Sequence, residues 1–339
     1  MSSLRPFLVA VAAGLVSAAP ALAQDTVRFT PTVAQPTFAV REPVLRVKPG
    51  TVLISRTNFG AYYTEEGGRF PGEVGPIYVE GATTKDMLVV RIRQVKPNHS
   101  IAASQIYSAF GGLQTEESVR LLNEPLKPRR YVWQLDHERN TATTTLPDSR
   151  MRTVTVDMQP MLGRVAVAPR GQEAFGGIWP GNFGGNMDAQ EVKEGTTVYL
   201  PIFHDGAYLY FGDGHARQGD GELAGTGLET SMDVILEIDV IKGRTIAWPR
   251  LEDSTHIMVV GAARPLIDAF RIAHVELIEW MVSDYGFGKL DAYALLGQVA
   301  QSSIANVVDP LYTVVAKMPK RFLPDSARGG TQQRAAPPP

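Results

Sequence analysis

The chain has 339 residues, 44% of them apolar, a formal net charge of -2 and no cysteine. That length can bury a large core without disulfides, and the missing thiol excludes cysteine nucleophiles, the Glu-Lys-Cys amidase site among them. The near-neutral charge excludes a strongly basic nucleic-acid face or a polybasic membrane anchor, so a small-molecule partner is expected.

Met1–Ala23 carries an early Arg5, an apolar run from Phe7 to Val16, and Ala21-Leu22-Ala23 before Gln24. This pattern predicts a secretory signal peptide, too short for a permanent membrane helix, and hence an exported, periplasmic protein. Asn98-His99-Ser100 fits a glycosylation sequon, a match frequent by chance.

The mature chain, residues 24–324, reads as one mainly β domain. Val44–Val47 and Thr51–Ser55 flank the turn Lys48-Pro49-Gly50, and Ile77–Val79 and Met87–Val95 flank Glu80-Gly81-Ala82. In the second pair Leu88, Val90 and Ile92 alternate with Val89, Arg91 and Arg93 at strand period. Tyr131–Leu135, Thr153–Val156, Val165–Ala168, Thr197–Ile202, Ala207–Phe211 and Ser231–Val240 extend the series, while Asn98–Leu126 is an irregular excursion. Many short strands joined by Gly/Pro turns predict a sandwich-type β core.

Between Gly176 and Glu229, glycine, carboxylates and a histidine crowd around one apolar strand. Asp213, His215, Gln218, Asp220 and Glu222 fall within ten positions, spaced mostly by small residues. Small residues let the backbone turn tightly and approach a ligand, and oxygen ligands with one imidazole suit a divalent ion. The i, i+2 pairs Asn186/Asp188, Asp213/His215 and Asp220/Glu222 put both members on one face of an extended segment. A bound metal would polarise an amide carbonyl and acidify water, and a carboxylate would carry the proton. The expected roles are Asp188, Asp213 and His215 as metal ligands, Glu222 and Asp220 as catalytic carboxylates, and Asn186 and Gln218 as substrate-binding amides. Against this stands a structural reading, in which carboxylates among glycines cap turns. His204, in a turn beside Asp205 and Gly206, reads equally as an exposed loop residue or a functional one, His256 and His274 as structural, and Glu80 as half of a buried salt bridge.

Towards the C-terminus Leu266, Phe270, Ala273, Leu277 and Met281 recur at helical spacing, and a second helix is expected from Lys289 to Gln301. Asp309-Pro310 is a breaker, Tyr312–Ala316 a final strand, and residues 325–339 a disordered tail rich in Ser, Gly, Gln, Arg and Pro. The chain has no G-x-S-x-G elbow, H-E-x-x-H helix, P-loop or dinucleotide fingerprint.

Gly181-Asn182-Phe183-Gly184-Gly185-Asn186-Met187-Asp188, Leu200-Pro201, Gly206-Ala207 and Gly212-Asp213-Gly214-His215-Ala216 resemble the acetamidase/formamidase family. Gln218-Gly219-Asp220-Gly221-Glu222, the segment from Gly75 to Ala82, and the segment from Asp291 to Leu296 continue that resemblance. It implies a β sandwich with appended C-terminal helices, a zinc or calcium ion, a homo-oligomer, and hydrolysis of small linear amides to acid and ammonia. The family's His-x-x-Trp segment has no counterpart here, where Thr37-Phe38-Ala39-Val40 stands. That difference keeps open an alternative, a periplasmic metal-binding or structural protein without turnover. Hydrolysis of a cyclic amide is a third reading.

Overall fold

The computed structural model describes residues 25–65, 67–114 and 126–324. The expected signal peptide and C-terminal tail lie outside the described residues, as does most of the later half of the Asn98–Leu126 excursion. The remainder is mainly β, with two helices near the C-terminal end.

Two large sheets face one another. One has nine strands, in the order Thr26–Arg28, Thr51–Arg56, Met232–Ile241, Met87–Pro97, Thr197–Pro201, Arg250–Glu252, His256–Ala263, Tyr312–Pro319 and Gln301–Asn306. The other has six, in the order Pro180–Gly181, Gly184–Asn186, Met161–Ala166, Leu209–His215, Val74–Val79 and Leu45–Val47. Strict alternation selects the inner face. In Met232–Ile241, Met232, Val234, Leu236 and Ile238 are buried, whereas Glu237 turns outward to pair with Arg91 and Arg93. Leu88, Val90 and Leu200 of the larger sheet share one apolar core with Ile77, Leu162 and Phe211 of the smaller. The expected sandwich-type core with appended helices is therefore what the chain forms.

The excursion contributes a strand of its own. Ile101–Ile106 joins Arg129–Asp136, Thr141–Thr145 and Thr153–Asp157 in a four-stranded antiparallel meander. It packs a small cluster of Ala102, Leu135 and Ala142 onto Ala216 and Leu228.

Helix α1, Leu266–Tyr285, covers the outer face of the nine-stranded sheet. It buries Ala269, Ala273, Leu277, Trp280 and Met281 against Ile257, Val259, Val314 and Ala316. The expected stripe holds from Ala273 to Met281, but Phe270 is exposed and Ala269 takes the buried position. Close approach decides this: a Cβ at Gly261 beneath the helix would stand 2.4 Å from Ala269 O, leaving room for only a small side chain. The helix ends at Gly286, whose φ of 71° gives the left-handed cap that glycine adopts without strain. Helix α2, Lys289–Val299, follows at once. The segment before Asp309-Pro310, where no strand was expected, forms the edge strand Gln301–Asn306.

Candidate functional site

The first part of the acidic block is extended, as the Asp213/His215 spacing requires. Leu209–His215 is one continuous strand of the six-stranded sheet, buried at every position. Its glycines serve close packing: a Cβ at Gly212 would lie 2.1 Å from Glu73 Oε2, and one at Gly214 would lie 2.3 Å from Met232 Cγ. Neighbouring strands bring partners into line. Arg164 pairs with Gly212 on one side and Asn186 on the other. Between these register points Gly163 faces two carboxylates, and a Cβ there would meet Asp188 Oδ1 at 2.4 Å and Asp213 Oδ2 at 2.5 Å.

Asp213 and His215 converge as expected, with His215 Nε2 at 3.4 Å from Asp213 Oδ1. A residue not singled out from sequence comes closer: Glu229, bridged through its backbone to His215, puts Oε1 at 3.1 Å from the same nitrogen. The donor set thus forms two triads sharing one imidazole, Asp188–His215–Glu222 and Asp213–His215–Glu229. The expected ligand triple Asp188, Asp213 and His215 is divided between them, and Glu222 joins the group around His215.

Asp220 and Glu222 part company. They lie in a 3₁₀ turn, not an extended segment, with Gly221 at φ 77° and Glu222 at φ 49°. Glu222 points inward and accepts from Asn306 Nδ2 at 2.9 Å. Asp220 is exposed and accepts from Gln190 Nε2 at 3.0 Å, so the catalytic carboxylate expected there is turned away from the cluster.

Both expected substrate amides are committed to the protein. Gln218 Nε2 donates to Asp188 O and Ala305 O at 2.6 and 3.0 Å, which fixes its Oε1 as the acceptor 2.9 Å from His215 Nδ1. Asn186 Oδ1 accepts from Arg164 Nε, and its Nδ2 donates to Asp188 Oδ2 and Asp309 Oδ2, each at 2.5 Å. These two side chains hold other side chains in place. Glu80, expected in a buried ion pair, is exposed, and Glu73 takes that role, accepting from Arg164 Nη1 at 2.6 Å. His204, His256 and His274 bond to local backbone or hydroxyl groups away from the cluster.

The electrostatics are lopsided. Glu73, Asp188, Asp213, Glu222, Glu229 and Asp309 are six buried carboxyl groups gathered around one guanidinium, Arg164, and one imidazole, His215. Burial pushes the Glu73 and Glu229 carboxyls up to about 7, and burial together with Asp213 pushes Asp188 up to about 6. Glu222 and Asp309 are raised well above the ordinary carboxylate range, by burial first and then by Asp188. Burial opposes ionisation of Asp213 too, but Arg164 and then His215 outweigh it and hold that group below its ordinary value. Burial likewise opposes a charged His215, and Glu229 and Asp213 raise it nonetheless.

Four buried polar atoms in this cluster make no hydrogen bond: Glu73 Oε2, Asp188 Oδ1, His215 Nε2 and Glu229 Oε2. With Gln218 Oε1 accepting at Nδ1, a His215 that gave up its second proton to a bound cation would keep its proton on Nδ1 and turn the Nε2 lone pair towards Asp213 and Glu229. The short Nε2 contacts to those carboxylates lack hydrogen-bond alignment. Unpaired buried acceptors grouped around one imidazole are costly unless a cation lies among them, and one imidazole with several carboxylates is a donor set for zinc or calcium. The residues present therefore fit the metal that the sequence resemblance implies.

Above the cluster opens a cavity of about 250 Å³. Its floor includes Arg164, Asn186, Asp213, Glu222, Glu229 and Asp309, and its walls are Tyr62, Phe70, Tyr107, Phe110 and Ile178. The Tyr62 and Tyr107 hydroxyls are hydrogen-bonded to each other at 2.8 Å. Asp188, Asp213 and Glu222 all hold positive φ, at 44°, 57° and 49°. Backbone strain of this kind persists where surrounding structure enforces it, most often at functional sites.

Comparison with known proteins bears on the same residues. The family model described as "Acetamidase/Formamidase family" matches residues 170–323, which include every expected site residue. The crystal structure of an acetamidase from Yersinia enterocolitica superposes with a TM-score of 0.80 at 32% identity, covering 88% of this chain and 93% of that one. An acetamidase from Bacillus halodurans gives 0.75 at 26% identity, covering 87% of this chain and 98% of that one. Among curated proteins, an acetamidase from Mycolicibacterium smegmatis is 38% identical over 65 residues, 19% of this chain. That match spans only 16% of the curated relative's length.

Proposed function

The chain belongs to the acetamidase/formamidase family, and from that premise we propose that it hydrolyses a small linear amide to a carboxylic acid and ammonia. What supports the reading above all is that His215, Asp188 and Glu229, each with a buried atom that makes no hydrogen bond, belong to two triads sharing His215 beside a cavity of small-molecule size. Asp188, Asp213, His215 and Glu229 are the residues that would hold a zinc or calcium ion. Such an ion, when bound, polarises the amide carbonyl and makes water a better nucleophile at neutral pH.

The chain's own groups do the rest. Gln218 fixes the His215 tautomer and ring orientation through Nδ1. Arg164 neutralises Glu73 and Asp213 and orients Asn186, which in turn holds Asp188 and Asp309. Glu222, anchored by Asn306 at one oxygen and facing the cavity, takes a proton from the attacking water. It then delivers that proton to the amide nitrogen as the carbon–nitrogen bond breaks. Aromatic walls at Tyr62, Phe70, Tyr107 and Phe110 limit water and receive the acyl group.

The experiment is ammonia release from a panel of linear amides, formamide and acetamide included, by protein stripped with chelator and reloaded with zinc or calcium. Release that falls on stripping and returns on reloading is the expected result. A folded, metal-loaded protein that releases no ammonia from any amide would instead favour a metal-binding protein without turnover. Export belongs to the same proposal and rests on the Met1–Ala23 pattern. Amino-terminal sequencing of protein from the periplasmic fraction should begin at Gln24, and a chain retaining Met1 would defeat it.

A further inference from the structure

A second polar cavity lies on the outer face of the nine-stranded sheet, and none of its walls belongs to the carboxylate cluster. Its volume is about 630 Å³. Arg250, on the strand Arg250–Glu252, lines it with 7% of its surface exposed. The guanidinium carbon stands 4.9 Å from the ring centroid of Trp280 on α1, and its Nε is buried without a hydrogen-bond partner.

The neighbouring carboxylates are already taken. Asp284 accepts from Trp280 Nε1 at 2.9 Å and Ser283 Oγ at 2.5 Å, and pairs with Arg244. Glu252 accepts from Tyr199 Oη and Lys320 Nζ, both at 2.7 Å. Glu276, on α1, acts on Arg250 only through space. Asp284 too acts on Arg250 through space, and Arg244 opposes it, but among the described residues no carboxylate forms an ion pair with Arg250. Burial accordingly pulls its pKa below the ordinary arginine value.

A buried guanidinium with an unpaired donor is costly, and its planar fork of donors matches a carboxylate bidentately. The remaining walls are aromatic or aliphatic: Tyr199, Trp280 and Tyr285, with Met87 and Ile241. A buried guanidinium with no carboxylate in contact, lining a polar cavity with aromatic walls, is complementary to an organic monoanion. We propose that this cavity binds a monocarboxylate with an aromatic or bulky apolar body, its carboxylate on the Arg250 guanidinium and its body against Trp280 and Tyr199. This proposal does not depend on amide hydrolysis.

The probe is 4-bromobenzoate, used in calorimetric titration of the full chain and in crystals, where bromine anomalous scattering reports its position. Bromine beside Trp280 is expected in the wild-type protein. Arg250→Gln should weaken binding about thirtyfold, the loss of a charge-assisted hydrogen-bonded pair, and Arg250→Lys should recover part of it. Benzyl alcohol, which keeps the ring and loses the charge, should bind weaker by a similar factor. His215→Ala should leave the titration unchanged. The proposal is overturned by bromine found only in the cavity above His215, by affinity unchanged in R250Q, or by no binding up to the solubility of the salt. Should R250Q fail to fold, the bromine position in wild-type crystals decides the matter alone.

Discussion

Arg164→Met is expected to destabilise the fold by about 3–5 kcal/mol, the usual cost of removing one partner from a buried ion pair. The guanidinium is 6% exposed and serves three groups at once, Glu73, Asn186 and Asp213. Methionine fills much of the same space, so the loss reads out uncompensated charge more than a cavity. Urea unfolding of metal-free protein measures it. The double variant Glu73→Gln/Arg164→Met should recover part of the loss, because it removes one of the stranded carboxylates. A loss below about 1 kcal/mol, the range of exposed pairs, would mean that Arg164 is not the counter-charge of this cluster. Zinc or calcium should raise the stability of the variant, since a ligand that binds only the folded state stabilises it by mass action.

His215→Ala is expected to lower amide hydrolysis at least about 10³-fold in kcat/KM, within the range of a removed catalytic group. The imidazole is fully buried and belongs to both triads, so its loss disables each of them. Gln218→Leu provides the graded comparison. Gln218 reaches the site only through His215 Nδ1, and loss of such a supporting hydrogen bond costs about 10–100-fold in metal affinity or activity. The readouts are ammonia release and bound metal per chain, with folding checked by circular dichroism. Near-wild-type turnover in a folded His215→Ala protein would remove this cluster from the chemistry altogether.

The site was partly legible because its central residues lie close together in the chain. Asp213, His215, Gln218 and Glu222 sit in one short glycine-rich stretch, and they do converge. The other half was invisible for a reason of distance. Glu73, Arg164, Asn306 and Asp309 arrive from separate strands and turns, and nothing in their own neighbourhoods marks them as a group. Arg164 alone carried a signal, as the single charge in the apolar run Met161–Ala166, every residue of which is buried. Asp309 read as a helix-breaking Asp-Pro turn, and its inward orientation follows from Asn306, whose Oδ1 accepts from the Asp309 and Val308 backbone amides.

Spacing arguments failed where backbone geometry departed from the assumed state. The i, i+2 rule put Asp220 and Glu222 on one face, but a 3₁₀ turn with two positive φ values sends them apart. Gln218 and Asn186 were expected to meet substrate because primary amides can. Which amide is free depends on what surrounds it, and buried carbonyls, an imidazole and a guanidinium had already claimed both.

By itself the sequence determined the alternating burial that makes a β sandwich, the helical stripe of α1, the absence of thiol chemistry and the block that concentrates ligating side chains. These are local properties, written in periodicity and composition, and the chain expresses them wherever it folds. Only the tertiary structure decided which carboxylates share His215, which amides are spent on support, and that Arg250 is buried without an ion-pair contact. Those outcomes depend on register between strands distant in sequence, and burial multiplies the strength of every charge that register brings together.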